Sequence, residues 1–106
     1  MVNRFDIYLV NLDPTIGSEI KKTRPCVVIS PNEMNHALNT AIIAPMTTVI
    51  RHYPTRIAIN FQNKNGEIAL DQIRAIDKNR LIKHIGVLQP KESQRTLSLL
   101  NIIFSE

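Results

Sequence analysis

Arg24 stands in the string Gly17-Ser18-Glu19-Ile20-Lys21-Lys22-Thr23-Arg24-Pro25, where a polar, basic segment runs into the apolar Cys26-Val27-Val28-Ile29-Ser30. A residue before proline is driven toward extended geometry, so Arg24 starts a strand rather than ending a helix. Its guanidinium stays charged and presents a planar fork that matches phosphate oxygens. Lys21 and Lys22 add positive field along the same loop, although lysines of this kind are most often simply solvated. Thr47 and Thr48 close a second apolar run, Ala41-Ile42-Ile43-Ala44-Pro45-Met46. They offer hydroxyl donors to a phosphate or a scissile oxygen, although threonine is favoured in strands for its shape alone. An arginine and hydroxyls at strand ends point to phosphodiester chemistry carried by side chains.

The remaining reactive residues are scattered. His36, His52 and His84 are isolated from one another, which argues against a metal-binding trio. Cys26 is the only cysteine; it excludes an internal disulfide and a multi-cysteine zinc site, and its apolar neighbours read as core. With three glycines in the chain there is no phosphate-cradling glycine loop and no dinucleotide fingerprint. Asp71-Gln72-Ile73-Arg74 places polar groups at a strand end, with an Asp71–Arg74 ion pair as the plainer reading.

At 106 residues and 43% hydrophobic, the chain reads as a single domain, 1–106, with one real core. A net charge of +4 and a pI near 9.6 suit a nucleic-acid or acidic protein partner without requiring either. No apolar run approaches the roughly 20 residues of a membrane helix, and Met1-Val2-Asn3-Arg4-Phe5-Asp6 lacks the core of a signal peptide, so a soluble, cytoplasmic protein is expected.

The elements that must position these residues are mostly short strands. Phe5–Asn11 alternates; Leu12–Thr23, with Asp13-Pro14 and Gly17-Ser18, reads as a long loop. Cys26–Ile29 reads as a buried central strand, followed by Ser30 as N-cap and Pro31 in the first turn of a helix through Leu38. A strand over Thr40–Thr47 carries Pro45 as a sign of an edge or bulge. A loop over Thr48–Pro54 bears Arg51, His52 and Tyr53. Arg56–Phe61 alternates with Ile57, Ile59 and Phe61 inward, and Asn63-Lys64-Asn65-Gly66 reads as the hairpin turn. The return strand runs from Glu67 to Leu70 or beyond, Ile73–Ile76 continues the sheet, and Asp77–Arg80 forms one helical turn. Ile85–Leu88 is a last short strand. Gln89-Pro90 opens a helix to Phe104 with Leu97, Leu100 and Phe104 on one face and Leu99 and Ile103 beside it. The whole reads as a mainly β, barrel-like sheet closed by a C-terminal helix.

Taken in order, Asp6-Ile7-Tyr8, Leu12-Asp13-Pro14, Gly17-Ser18-Glu19, Thr23-Arg24-Pro25, Val27-Val28-Ile29-Ser30-Pro31, Met46-Thr47-Thr48, Tyr53-Pro54 and Asp71-Gln72-Ile73-Arg74 closely resemble the MazF/PemK toxins of bacterial toxin–antitoxin modules. The resemblance spans nearly the full length. It implies an SH3-like small β-barrel (the MazF/CcdB-like fold), a homodimer, metal-independent cleavage of single-stranded RNA without a cofactor, and an acidic antitoxin of the MazE/PemI kind. The family's functional arginine and threonine fall on Arg24 and Thr47, its Gly-Ser-Glu loop on Gly17, Ser18 and Glu19, and its Asp-Gln pair on Asp71 and Gln72. Phe5 departs from the glycine usual before Asp6-Ile7, which bears on local packing.

Metal-free RNA cleavage uses the ribose 2′-hydroxyl as an internal nucleophile and leaves a 2′,3′-cyclic phosphate and a 5′-hydroxyl. Arg24 and Thr47 suit stabilisation of the developing charge. An arginine is a poor general base at neutral pH, which leaves Glu19 or His36 for that role. Expected RNA contacts are Ser18, Lys21, Lys22, Thr48, Arg51, Tyr53, Asp71 and Gln72, with Tyr53 and Phe61 as stacking platforms, Phe61 serving the core instead on the plainer reading. Two alternatives remain: a non-enzymatic toxin that binds a protein target such as DNA gyrase, as CcdB-type relatives do, and a degenerate module that only binds RNA or an antitoxin.

Overall fold

The computed structural model describes residues 1–106. Apolar and β-branched residues, alternating or in short runs between turns, mark most of the seven strands: β1 (Asp6–Asn11), β2 (Thr23–Val28), β3 (Thr40–Thr47), β4 (Arg56–Phe61), β5 (Lys64–Ala69), β6 (Arg74–Asp77) and β7 (Leu81–Val87). Helix α1 (Asn32–Ala37) joins β2 to β3, and α2 (Pro90–Ile103) follows β7. Single 3-10 turns lie at Leu70–Gln72 and Lys78–Arg80, the second matching the helical turn expected there.

Every pairing is antiparallel, in the order β4-β5-β3-β2-β1-β7, with β6 also on β3. β3 is the pivot. Its first half pairs with β6 and its end, Met46-Thr47, pairs with Ile68 and Glu67 of β5. Pro45, which in the sequence reads as a sign of an edge or bulge, lies inside the sheet, in the gap where β3 changes partner, opposite Cys26 of β2. A residue without an N–H is tolerated at such a gap.

The sheet curls into a half-barrel without closing, since β4 and β7 at its two ends do not pair. Phe61 bridges them: a Cβ on Gly86 of β7 would lie 3.0 Å from its ring. This is the mainly β architecture with a C-terminal helix that the pattern of short strands predicts.

The second half of β2, Cys26-Val27-Val28, is apolar because both its faces are covered. Val27 joins Ile7, Met46, Ile57, Ile59 and Ile68 on the side where Leu99, Leu100 and Ile103 of α2 pack. Cys26 and Val28 face the other way, with Val10, Leu12, Ile43 and Ile76. Each fully buried aliphatic side chain in these layers contributes roughly 2 kcal/mol, which holds β2 and β3 rigidly beneath the residues at their ends.

Four details differ from the sequence reading. The hairpin turns at Gln62-Asn63, both at positive φ (52° and 63°), so Lys64, Asn65 and Gly66 belong to β5. Gly66 is required by close approach, because a Cβ there would meet the Thr47 carbonyl oxygen at 2.5 Å. α2 buries Glu92, Ser93 and Thr96 with Leu99, Leu100 and Ile103, and leaves Leu97 and Phe104 outside. The inward polar groups are satisfied locally: Thr96 Oγ1 donates to the Glu92 carbonyl, and Glu92 accepts the N–H groups of Gln89 and Asn60. Ser30 does not cap α1; Pro31 takes that place, while the Ser30 hydroxyl pairs with the Asn35 side chain and accepts the Ile42 N–H. β7 starts at Leu81, four residues before the expected Ile85.

Phe5 adopts φ 72°, a left-handed conformation that glycine enters freely and phenylalanine does not. Its ring packs on the main core layer and carries the Arg4 guanidinium 5.5 Å from its centroid. Packing holds it there against backbone strain.

Candidate active site

The register that sets Cys26 opposite Pro45, carried two residues further, sets Arg24 opposite Thr47. Two adjacent strands thus deliver the guanidinium and the hydroxyl as cross-strand neighbours. Both line a cleft of about 440 Å³ between the 12–22 and 48–54 loops, together with Ser18, Glu19, Lys21, Arg51, Tyr53, Asp71 and Gln72. Both also line a second cleft of about 200 Å³ on the other side, against the β4–β5 hairpin, where Thr48, Gln62, Lys64 and Asn65 stand and no acidic side chain does. The arginine and the threonine form the ridge between the two.

Arg24 is tethered by one nitrogen: Nε donates to the Lys21 carbonyl at 2.8 Å, and no carboxylate pairs with it, so both terminal nitrogens are left for an anion. Thr47 Oγ1 accepts the Val49 N–H at 3.1 Å, which leaves its own proton to donate. The long loop is held at two places. Arg74 and Arg80 donate to carbonyls at its start (Leu12, and Asn11 with Asp13), and the Gln72 amide accepts the Ile20 N–H and donates to the Ser18 carbonyl. Glu19 Oε1 accepts the Ile16 N–H at 2.6 Å, closing the turn, and Oε2 is unbonded.

Asp71 pairs with Arg56 rather than Arg74: Arg56 Nε lies 2.7 Å from Oδ1 and Nη2 lies 3.2 Å from Oδ2. Burial works against the Asp71 carboxylate, but Arg56 and the Thr55 hydroxyl outweigh it and hold its pKa below the usual range. The same hydrogen bond to Asp71 raises Arg56 above its ordinary value. Arg56, with 7% of its side chain exposed, also approaches Glu67 at 3.4 Å and lies 4.9 Å over the Tyr53 ring.

The family described as PemK-like, MazF-like toxins of type II toxin–antitoxin systems matches residues 3–104. This chain belongs to that family. The endoribonuclease toxin MazF of Escherichia coli (strain K12) is 31% identical to it over 109 residues, covering 97% of this chain and 98% of its own. MazF from Deinococcus radiodurans, in its crystal structure, superposes with a TM-score of 0.84 at 19% identity, covering 96% of this chain and 94% of that one. An endoribonuclease in complex with its cognate antitoxin from a mycobacterial species gives a TM-score of 0.81 at 20% identity, covering 96% and 93%. The MazF-like chain is an endoribonuclease, and the reading of it as a non-enzymatic poison lapses.

Within this MazF-like fold the expected site residues sort by position. Ser18, Glu19, Lys21, Arg24, Thr47, Arg51, Tyr53, Asp71 and Gln72 share the loop-side cleft, and Thr48 faces only the hairpin side. Lys22 lines neither cleft; at φ 72° it turns the chain, and its carbonyl accepts the Leu12 N–H. His36 is exposed on α1 with Nε2 3.3 Å from Asn3 Oδ1, which removes it as a base at the ridge. His84 pairs with Asp6 at 3.3 Å, also away from the clefts. Phe61 is half-buried against the core, with its ring against Gly86. Cys26 is fully buried, and burial pushes its thiol up to about 12. No three His, Cys, Asp or Glu side chains gather in a way that would hold a metal ion.

Sequence reasoning missed Arg56, Glu67 and Lys64. The signal for the first two was the hairpin register: with the turn at Gln62-Asn63, Arg56 and Glu67 become diagonal neighbours across β4 and β5. The Asn-Gly pair drew the expected turn two residues too far along.

Proposed function

We propose that this toxin cleaves single-stranded RNA without a metal, by attack of the 2′-hydroxyl on its own 3′-phosphate. The O2′–P bond forms, the P–O5′ bond breaks, and a 2′,3′-cyclic phosphate and a 5′-hydroxyl result. The observation that carries this is Arg24 fixed through Nε with both terminal nitrogens open, beside a Thr47 hydroxyl whose acceptor role is taken. That arrangement meets the extra charge of a phosphorane with donors already in place. Glu19 Oε2 is the free carboxylate oxygen in the cleft and takes the 2′ proton; Asp71 is unsuited, since Arg56 and Thr55 occupy both its oxygens. The leaving 5′ oxygen is protonated from water in the open cleft.

Lys21 and Arg51 supply phosphate contacts and Tyr53, 48% exposed, a stacking surface, while a strand crossing the ridge continues toward Lys64 and Asn65. Clefts on both sides give sequence selectivity its means. The partner is an acidic antitoxin segment that competes with RNA for the same charge, consistent with the net charge of +4 and with the antitoxin complex of the mycobacterial relative. Ile102 on the last turn of α2 and Phe104 just after it are exposed, apolar surface for a homodimer to cover. The setting is cytoplasmic, where RNA and antitoxin meet; no helix here is long and apolar enough to cross a membrane.

The test is a long single-stranded RNA incubated with the protein in EDTA, beside Arg24→Ala. The parent should cut and leave cyclic-phosphate ends, and the variant should lose nearly all activity. RNA left intact by the parent in chelator, or cut equally by the variant, overturns the mechanism.

A further inference from the structure

Glu67 faces the 48–54 loop with 3% of its surface exposed, and it lines neither cleft. A carboxylate that deeply buried must be fully paired. Its Oε1 accepts the Arg51 N–H at 3.1 Å and its Oε2 the His52 N–H at 3.0 Å. Burial alone would push its pKa up, but those two N–H groups and the Arg56 charge hold it below the usual range. The remaining partner, Arg56 Nη1, belongs to the guanidinium that Asp71 clamps and that lies over the Tyr53 ring. His52 sits at φ 57°, a conformation that a loop keeps only when its neighbours impose it. Every bond the Glu67 side chain makes therefore runs to the segment that carries Arg51 and Tyr53, or to the arginine stacked on Tyr53.

We propose that Glu67 is a positioning residue for RNA binding: from behind the cleft it fixes the 48–54 loop so that Arg51 meets a phosphate and Tyr53 a base. This rests on the cleft being the RNA site. The role requires two acceptor oxygens, because all three partners are N–H donors. Glutamine has nearly the same volume and offers one acceptor, so Glu67→Gln loosens the loop with little change in packing. Arg24 is held by β2 and bonds to the Lys21 carbonyl, and the Thr47 hydroxyl bonds to Val49 at the start of the loop, ahead of the Arg51 and His52 amides that Glu67 holds, so the chemical step should survive.

The experiment measures kcat and KM on a long single-stranded transcript for the parent, Glu67→Gln, the double variant Arg51→Ala/Tyr53→Ala, and the triple. Glu67→Gln should raise KM roughly tenfold with kcat nearly unchanged, the size of one lost stacking or phosphate contact. In the double-variant background the same substitution should add almost nothing, because the groups it positions are gone. An equal effect in both backgrounds, or a fall in kcat at constant KM, overturns the proposal. Hydrogen exchange on the unsubstituted protein serves independently of whether the variants fold: the Arg51 and His52 amides should exchange slowly, and rapid exchange at both overturns it. Arg24→Ala runs alongside. If it cuts like the parent, the cleft reading falls; a KM effect of Glu67→Gln would then keep the loop's role, and its absence would remove both.

Discussion

Because Thr47 Oγ1 accepts the Val49 N–H, the oxygen is held in place at the clefts while its own proton stays free to donate. A donor arranged this way before substrate arrives needs no reorganisation when charge develops. Thr47→Val keeps the shape and removes the donor, and should lower kcat roughly a hundredfold, the scale seen when one such donor is deleted. Thr47→Ser restores it, and should recover most of kcat in the same cleavage assay; a serine variant as slow as the valine would show that the methyl, and hence packing, is what matters. Arg24 follows the same logic of partial restraint. A lysine there offers a point charge on a flexible stem, without the rigid planar fork that one bond to the Lys21 carbonyl orients in Arg24.

At the scale of elements, rigid strands hold the ridge while loops held by single side chains supply the walls. Gln72 is the clearest case, since its amide bonds both Ser18 and Ile20 across the base of the 17–20 turn. Gln72→Ala removes both bonds from an exposed segment, and should raise KM several-fold and speed proteolytic nicking between residues 15 and 20 while the melting temperature stays within a few degrees. Unchanged nicking would show that Glu19 and the backbone hold the turn alone. Strands and the ridge were legible in the sequence because the alternation of Arg56–Phe61 and the Arg24-Pro25 junction are local signals. The walls were less so. Asn65-Gly66 resembled a turn, yet Gly66 is there for its close approach to Thr47, a tertiary requirement that imitates a turn signal. That displacement hid the Arg56–Glu67 diagonal and left Asp71 paired with the wrong arginine. In α2 the spacing of Leu97, Leu100 and Phe104 suggested one face, but the local bonds of Glu92 and Thr96 make a polar stripe buryable, and the helix rotates to bury it.

Charge on the whole molecule ties stability and binding to different groups, which solution conditions should separate. The Glu67 and Asp71 carboxyls are held below their ordinary pKa by folding, so the stability they give is complete above about pH 4.5 and is lost as pH falls through their folded values. The melting temperature should therefore be flat from neutral down to about pH 5 and fall in stronger acid, and Asp71→Asn should flatten that fall. On the proposed site, RNA affinity should depend instead on cations free of acidic partners. Lys21, Arg24, Arg51 and Lys64 line the two clefts without an ion pair, whereas Arg56 is committed to Asp71 and Glu67. Each phosphate neutralised on a single strand contributes about 0.7 to the slope of log affinity against log salt, so these four cations support a slope of about −3 at most. Arg51→Ala or Lys64→Ala should each reduce its magnitude by about 0.7 in a titration of binding against salt. Arg56→Gln should weaken binding through the loosened loop yet leave the slope as it was. A slope that drops equally for Arg56→Gln would mean that this guanidinium meets phosphate directly, and that the clamp seen between Asp71 and Glu67 opens when RNA arrives.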